Sequence, residues 1–120
     1  MTNILMENFN VSGALWWPIY IGPQQQIQPN GVGPGCFDFP LHNCQTNNEM
    51  VMANITLRNI IMTETAWPFA GAIRANSSIP ATGFLFDNVR VTGGLAEFDG
   101  YKCENIVGSS TSNTFPKPCF

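Results

Sequence analysis

Four segments of the chain alternate apolar and polar residues, and each ends in an Asn followed by an apolar residue. They are residues 4–9, 55–60, 84–89 and 101–106. A period of two is typical of β-strands, in which successive side chains point to opposite faces. Because the alternation keeps one register relative to the Asn, we interpret the segments as corresponding strands of a repeating structure. The register predicts one shared face for four side chains, those of Met6, Leu57, Phe86 and Cys103.

The recurring Asn residues, at positions 8, 59, 88 and 105, are suited to turns between strands. Asn tolerates left-handed backbone angles, and its amide can bond to the backbone or to the Asn of an adjacent repeat. A second short apolar segment follows the first three repeats, at residues 18–21, 71–74 and 94–97. Helical spacing with caps is nearly absent. The pattern therefore predicts an all-β fold, a short parallel β-helix, with an all-β sandwich as the alternative.

The repeats divide one β-helix unit, residues 1–120, into about three to four coils. We place the coils near residues 4–21, 51–75 and 83–98, followed by a closing segment at 101–120. Residues 22–50 are rich in Gly, Pro, Gln and Asn, and we expect them to form a loop insertion.

The composition and charge argue against several classes of protein. Hydrophobic residues make up 44% of the chain and charged residues 11%, which is unlike a disordered segment. The net charge is −3 and no basic cluster is present, so we expect no nucleic-acid partner. No apolar run reaches the roughly 20 residues that a membrane span requires, so we predict no membrane-spanning segment.

The cysteines and glycosylation sequons favour a secreted, extracellular protein. The four Cys lack Cys-x-x-Cys spacing, and His42 is the only His, so we expect no zinc site or other metal. The simplest pairing is Cys36–Cys44 and Cys103–Cys119, although four Cys allow three connectivities. Asn-x-Ser/Thr sequons predict N-glycosylation at Asn10, Asn54 and Asn76.

Several segments resemble late coils of glycoside hydrolase family 28, the polygalacturonase-like enzymes. They are Leu5-Met-Glu-Asn-Phe-Asn-Val11 followed by Trp17-Pro-Ile-Tyr-Ile21, and the strings at 54–60 and 83–89. Cys103 and Cys119, with their flanking residues, resemble the family's closing segment. The match covers most of this chain but only the last third of such an enzyme. It implies a right-handed parallel β-helix, a pectin-lyase-like solenoid, whose C-terminal cap is closed by a disulfide.

The motifs that carry catalysis in this family are absent from the chain. Members of the family hydrolyse with inversion, using carboxylates in Asn-Thr-Asp and Asp-Asp strings, followed by Gly-His-Gly and Arg-Ile-Lys. None of these strings occurs here. The resemblance therefore implies the non-catalytic C-terminal portion of a galacturonan hydrolase-like protein, inactive alone and without a cofactor. The alternative is a stand-alone structural or carbohydrate-binding β-helix that assembles end to end.

Other residues offer weaker candidates for a site. Glu97 and Asp99 could form an acid–base pair, but we interpret them and His42 as surface residues. Aromatic rings beside amide groups can bind sugar rings. Carbohydrate could therefore bind at Trp16, Trp17, Tyr20, Gln24 and Gln25. The favoured alternative to sugar binding is that one Trp packs inside the coil while the other covers a turn.

The first coil is expected to be incompletely covered. A strand at the end of a solenoid exposes unpaired N–H and C=O groups. We therefore predict that the N-terminal coil pairs with another copy, giving a homo-oligomer, or packs against upstream β-helix coils.

Overall fold

The computed structural model describes residues 1–22, 40, 45–46, 48–93 and 99–120. These residues form seven strands and no helix. The strands are β1 (Thr2–Ser12), β2 (Ile19–Ile21), β3 (Ala53–Thr65), β4 (Phe69–Arg74), β5 (Ala81–Gly93), β6 (Asp99–Glu104) and β7 (Ile106–Ser110).

The strands form two sheets, and every pairing between neighbouring strands is parallel. One sheet has the order β1-β3-β5-β7 and the other the order β2-β4-β6. Successive strands along the chain thus alternate between the sheets, and each pair adds one strand to each. The expected all-β class is confirmed, and the parallel sheets agree with the expected architecture. The predicted second strands at residues 18–21 and 71–74 correspond to β2 and β4.

The prediction that the recurring Asn residues lie in turns between strands was wrong at positions 8, 59 and 88, where the long strands bend and continue. In β3, Asn59 has a φ of 51°, and Asn8 in β1 and Asn88 in β5 are also left-handed. The buried residues before the bend are two apart, Ile55 and Leu57, whereas the next buried residue is Ile60. The left-handed residue shifts the alternation by one position, so that apolar side chains on both sides of the bend point inward.

One core receives side chains from both sheets. The first sheet contributes Ile55, Phe84, Phe86 and Val89, and the second contributes Ile19, Ile73 and Tyr101. Pairs in register, such as Ile55 with Phe84 and Leu57 with Phe86, stack these apolar residues from strand to strand. Burial of these rows on folding is the main stabilising contribution to the fold.

The prediction for the fourth repeat was wrong. Cys103 does not share a row with Met6, Leu57 and Phe86, since it lies in β6 opposite Ile73. Ser110 of β7 lies opposite Phe86 instead. The reason is that Asn105, with a φ of 55°, lies between β6 and β7, whereas the Asn residues at 8, 59 and 88 lie within strands. The second strand expected at 94–97 falls outside the described residues.

The last residues of the closing segment cover the second half of β5, beyond its pairing with β7. Val91 N donates to Phe115 O and Phe115 N donates to Val89 O, both at 2.8 Å. The Thr114 hydroxyl donates to Phe86 O at 3.1 Å. The ring of Phe120 packs edge-on against Phe86, with centroids 5.3 Å apart. This end of the core is therefore closed.

A disulfide joins Cys103 to Cys119, as predicted. It ties the end of the closing segment to β6. The predicted Cys36–Cys44 bond lies outside the described residues.

Candidate functional site: an open end and an outer aromatic cluster

The β1 end of the first sheet is incompletely covered. Among the described strands, β1 pairs only with β3. Met6 is 45% exposed, whereas Leu57 and Phe86, its successors in the same row, are 4% and 0% exposed. Leu5, Phe9 and Val11 are exposed as well. We call this surface, formed by β1 and β2, the open end.

The interior of the fold reaches the surface at the open end. A cavity of about 220 Å³ lies between the first strands of the two sheets. Its lining includes Met6, Phe9, Ile19, Ile21, Leu57 and Ile60. None of the described residues that line the cavity is charged, so an apolar group is the suitable occupant.

Two rows of Asn side chains run across the first sheet. Asn54 Nδ2 donates to Asn3 Oδ1 at 3.1 Å, which forms the first row. In the second row, Asn59 Nδ2 donates to Asn8 Oδ1 at 3.2 Å and Asn88 Nδ2 donates to Asn59 Oδ1 at 3.1 Å. The predicted bonding between Asn residues of adjacent repeats is confirmed at positions 8, 59 and 88. Every bond has the donor on the later strand, so the rows share one direction.

The second sheet carries an aromatic cluster formed by Trp16, Trp17, Tyr20, Trp67 and Phe69. Trp17 stacks on Phe69 with centroids 5.4 Å apart, and Trp16 lies 4.0 Å from Trp67. The cluster packs around Ala72, on the face of the sheet opposite to Ile19 and Ile73. It therefore lies outside the main core.

The structure brings together three of the residues predicted to contact sugar. Trp16 and Tyr20 are half-buried, while Trp17 is buried, in agreement with packing. Gln24 and Gln25 lie outside the described residues. The sequence did not predict Trp67 and Phe69, although Trp67 precedes β4 and Phe69 begins it, much as Trp16 and Trp17 precede β2. Alignment of the turns before these two strands could have revealed them.

Charged and polar groups flank the aromatic cluster. The Lys102 ammonium lies 4.5 Å from the centre of the Phe69 ring, a cation–π distance, and also contacts Asp99 at 3.4 Å. The indole N–H of Trp67 is buried and has no hydrogen-bond partner among the described residues. Burial raises the pKa of Tyr20, partly offset by the nearby Arg74.

A partly buried ion pair lies beside the cluster on the second sheet. The Arg74 side chain is 1% exposed, and its Nη2 donates to Glu104 Oε2 at 2.9 Å. Arg74 and Glu104 are in register on β4 and β6. The pair therefore links neighbouring strands.

The Asn residues of the three sequons differ in the hydrogen bonds of their side chains. Asn10 is exposed on β1. Asn54 uses its Nδ2 in the first Asn row, and Asn76 donates from Nδ2 to Thr46 O at 3.2 Å. Glycosylation at these positions stays a prediction. Asp99 is exposed, as expected of a surface residue, and its non-catalytic role stays a prediction because Glu97 lies outside the described residues, as does His42.

The described part of the chain has neither a cluster of metal-ligating side chains nor a membrane-spanning helix. No three His, Cys, Asp or Glu side chains there are grouped so that they could hold a metal ion. No helix there is long and apolar enough to cross a membrane. Comparison of the chain with protein-family models, curated proteins and solved structures gives no match.

Proposed function

We propose that the chain is a right-handed parallel β-helix of about three to four coils, of the polygalacturonase-like type. Its alternation between two parallel sheets supports this proposal, as do the Asn rows that cross the first sheet. In this interpretation β1 with β2, β3 with β4 and β5 with β6 are successive coils. The Cys103–Cys119 bond supports a secreted protein, because disulfides persist in oxidising compartments.

The function that follows is structural: the chain is the non-catalytic C-terminal portion of a polysaccharide hydrolase-like β-helix. The difference between the two ends carries this proposal. Residues 111–120 bond to the part of β5 that β7 leaves unpaired, whereas β1 exposes the inward residues Met6 and Phe9. A coil placed on β1 would bury these side chains, and burial of apolar surface favours association by about 25 cal/mol per Å². The chain would thus close the core of preceding coils.

Association through the open end can be tested by light scattering. We expect the wild-type chain to associate at high micromolar concentration and Met6→Lys to weaken the association, because Met6 points inward in the row of Leu57 and Phe86 and a charge with its hydration opposes burial. Leu15→Lys is the matched control, since Leu15 is exposed outside β1 and should leave association unchanged. A wild-type chain that stays monomeric would contradict the proposal.

The absence of catalysis can be tested with polygalacturonate. We expect the chain alone to release no more reducing ends than a heat-killed control. Turnover above that control, lost on substitution of Glu97 or Asp99, would show an acid–base pair and overturn the non-catalytic assignment.

Carbohydrate binding is a second candidate function, supported by the position of the aromatic cluster on the outer face of the second sheet. Half-buried rings present apolar faces to sugars, and Lys102 could pair with a uronate. In affinity electrophoresis, polygalacturonate should retard the wild-type chain, and Trp67→Ala should reduce retardation several-fold. Phe115→Ala, an exposed aromatic elsewhere, is the control. Equal retardation of both variants would exclude the cluster as the binding site.

A further inference from the structure

We propose that the strand that docks on β1 runs parallel to it and carries two Asn residues five positions apart, opposite Asn3 and Asn8. This inference rests on the proposed function, in which the open end binds another β-coil. The open end would select that coil by its pair of Asn amides and by the inward-pointing apolar residues beside them.

The two Asn rows lie five residues apart along each of the first two strands of the sheet. Asn3 and Asn54 are left-handed, and their neighbours Ile4 and Ile55 are paired in register. Asn8 and Asn59 repeat the arrangement five residues further along. The two bends in β1 therefore match two bends in β3, and a strand without left-handed residues at these positions could not follow β1 along its length.

The third strand shows which residues these two positions accept. Gly83 of β5 takes the place opposite Asn54, with a φ of 69°. A Cβ added to Gly83 would lie 2.5 Å from Asn54 Oδ1. Asn88 keeps the second position. Only a residue that tolerates left-handed angles occupies either bend, and Asn is the one that also continues the amide row.

The amide bonds of both rows run in one direction, from a donor on the later strand to an acceptor on the earlier one. Asn3 and Asn8 each accept at Oδ1 from the next strand. Their Nδ2 groups donate to no residue in the described part of the chain. Continuation of both rows requires an acceptor on the incoming strand, and the side-chain Oδ1 of another Asn supplies it in the observed geometry.

A second copy docked head to head cannot continue both the Asn rows and the core. An antiparallel copy that matched Asn3 to Asn8 of its neighbour would place Ile4 opposite Glu7 and Leu5 opposite Met6. Opposite residues of an antiparallel pair lie on the same face of the sheet. Inward residues would then face outward residues, so the core could not continue across the interface. In a parallel strand the apolar positions instead continue the rows of Met6 and Phe9.

The chain contains a segment that fits this description and can serve as a probe. In β3, Asn54 and Asn59 are five positions apart, and Ile55, Leu57 and Ile60 point into the core. A synthetic peptide of residues 51–65 with a fluorescent dye would report binding to the full chain by anisotropy. A paramagnetic label at the peptide's N-terminus would report its direction, because it broadens nearby amide resonances.

The peptide should bind, and the double variant Asn54→Ala/Asn59→Ala should bind about 30-fold more weakly, because one net hydrogen bond corresponds to about a factor of five. The matched control is a Thr56→Ala peptide, which keeps both Asn residues and should bind within about two-fold of the original. The paramagnetic label should broaden the amide of Thr2 and not that of Ser12.

Each other outcome is informative. Equal affinity of the peptide and its double Asn variant would overturn the inference but leave docking at the open end intact. Broadening at Ser12, or a chain that associates with itself through β1 while ignoring the peptide, would also overturn it. A chain that binds no peptide and does not self-associate would contradict the proposed function as well.

Discussion

Asn59 donates from Nδ2 to Oδ1 of Asn8 at 3.2 Å, across the pair formed by β1 and β3. The same Asn59 accepts at Oδ1 from Asn88 of β5. Its backbone is left-handed, so one residue supplies both the bend of β3 and the central link of the row. The bend directs the apolar residues on each side of it into one core, and the row keeps the bends of successive strands aligned.

We expect Asn59→Ala to lower the free energy of unfolding by about 2–3 kcal/mol. Left-handed strain in a residue with a Cβ costs about 1–2 kcal/mol, and lost amide bonds account for the remainder. Asn59→Gly should lose less, because it removes the amide bonds and keeps the backbone angle. Urea denaturation gives the values, with exposed Asn113→Ala as the control. A loss for Asn59→Ala no larger than that of the control would refute a role for the row.

Thr114→Val should destabilise the closing segment by about 2 kcal/mol, because a buried donor loses its partner. The Thr114 hydroxyl accepts from Val89 N at 3.3 Å and donates to Phe86 O. Thr114→Ser keeps the hydroxyl and should lose clearly less stability. Hydrogen exchange at the Val89 amide, together with denaturation, separates the two variants. If both variants were equally stable, the hydroxyl would not be what holds the segment on β5.

The two ion pairs on the second sheet should differ in importance. Glu104→Gln should cost about 1–2 kcal/mol, because it leaves the buried Arg74 guanidinium without its carboxylate. Asp99→Asn should change stability by less than about 0.5 kcal/mol, because its contact with Lys102 is exposed. Thermal denaturation of both variants, repeated at high salt, is the measurement. A larger effect of Asp99→Asn would contradict the geometry.

The hydroxyl of Tyr101 should make the fold sensitive to alkali. Burial raises the pKa of Tyr101, so the folded state holds a proton that the unfolded chain releases. This contribution to stability is complete below the unfolded pKa of about 10, and about 1 kcal/mol is lost by about pH 10.5. The same hydroxyl has no hydrogen-bond partner among the described residues.

Tyr101→Phe tests that account by denaturation at neutral and alkaline pH. The variant should be about 1 kcal/mol more stable at pH 7, since an unpaired buried hydroxyl is removed. It should also lose less stability between pH 8 and about 10.5. A variant that follows the wild-type pH dependence would show that Tyr101 does not control it.

The sequence predicted the features of the fold that repeat along the chain. Alternation around Asn8, Asn59 and Asn88 predicted β1, β3 and β5 of the first sheet, because inward residues must be apolar in every repeat. The interaction between Asn residues followed from the conformational freedom of that residue type. The Cys103–Cys119 bond followed from the simplest pairing of the four cysteines.

The features that the sequence did not predict depend on context outside the repeat. An Asn followed by an apolar residue marks a bend within a strand at Asn59 but a corner between strands at Asn105. Both need the same left-handed angle, so local sequence cannot distinguish them. The contact of Trp16 with Trp67 joins residues of two different coils, and only the pairing of β2 with β4 brings them together.

The central claim is that the fold has one finished end and one open end at β1. Residue-resolved amide hydrogen exchange of the dilute, monomeric chain tests it most directly. We predict slow exchange in β3 and β5, including Val89 and Val91 beneath the closing segment, and much faster exchange throughout β1. Exchange in β1 as slow as in β5 would show that the N-terminal strand is already covered, and would contradict the account.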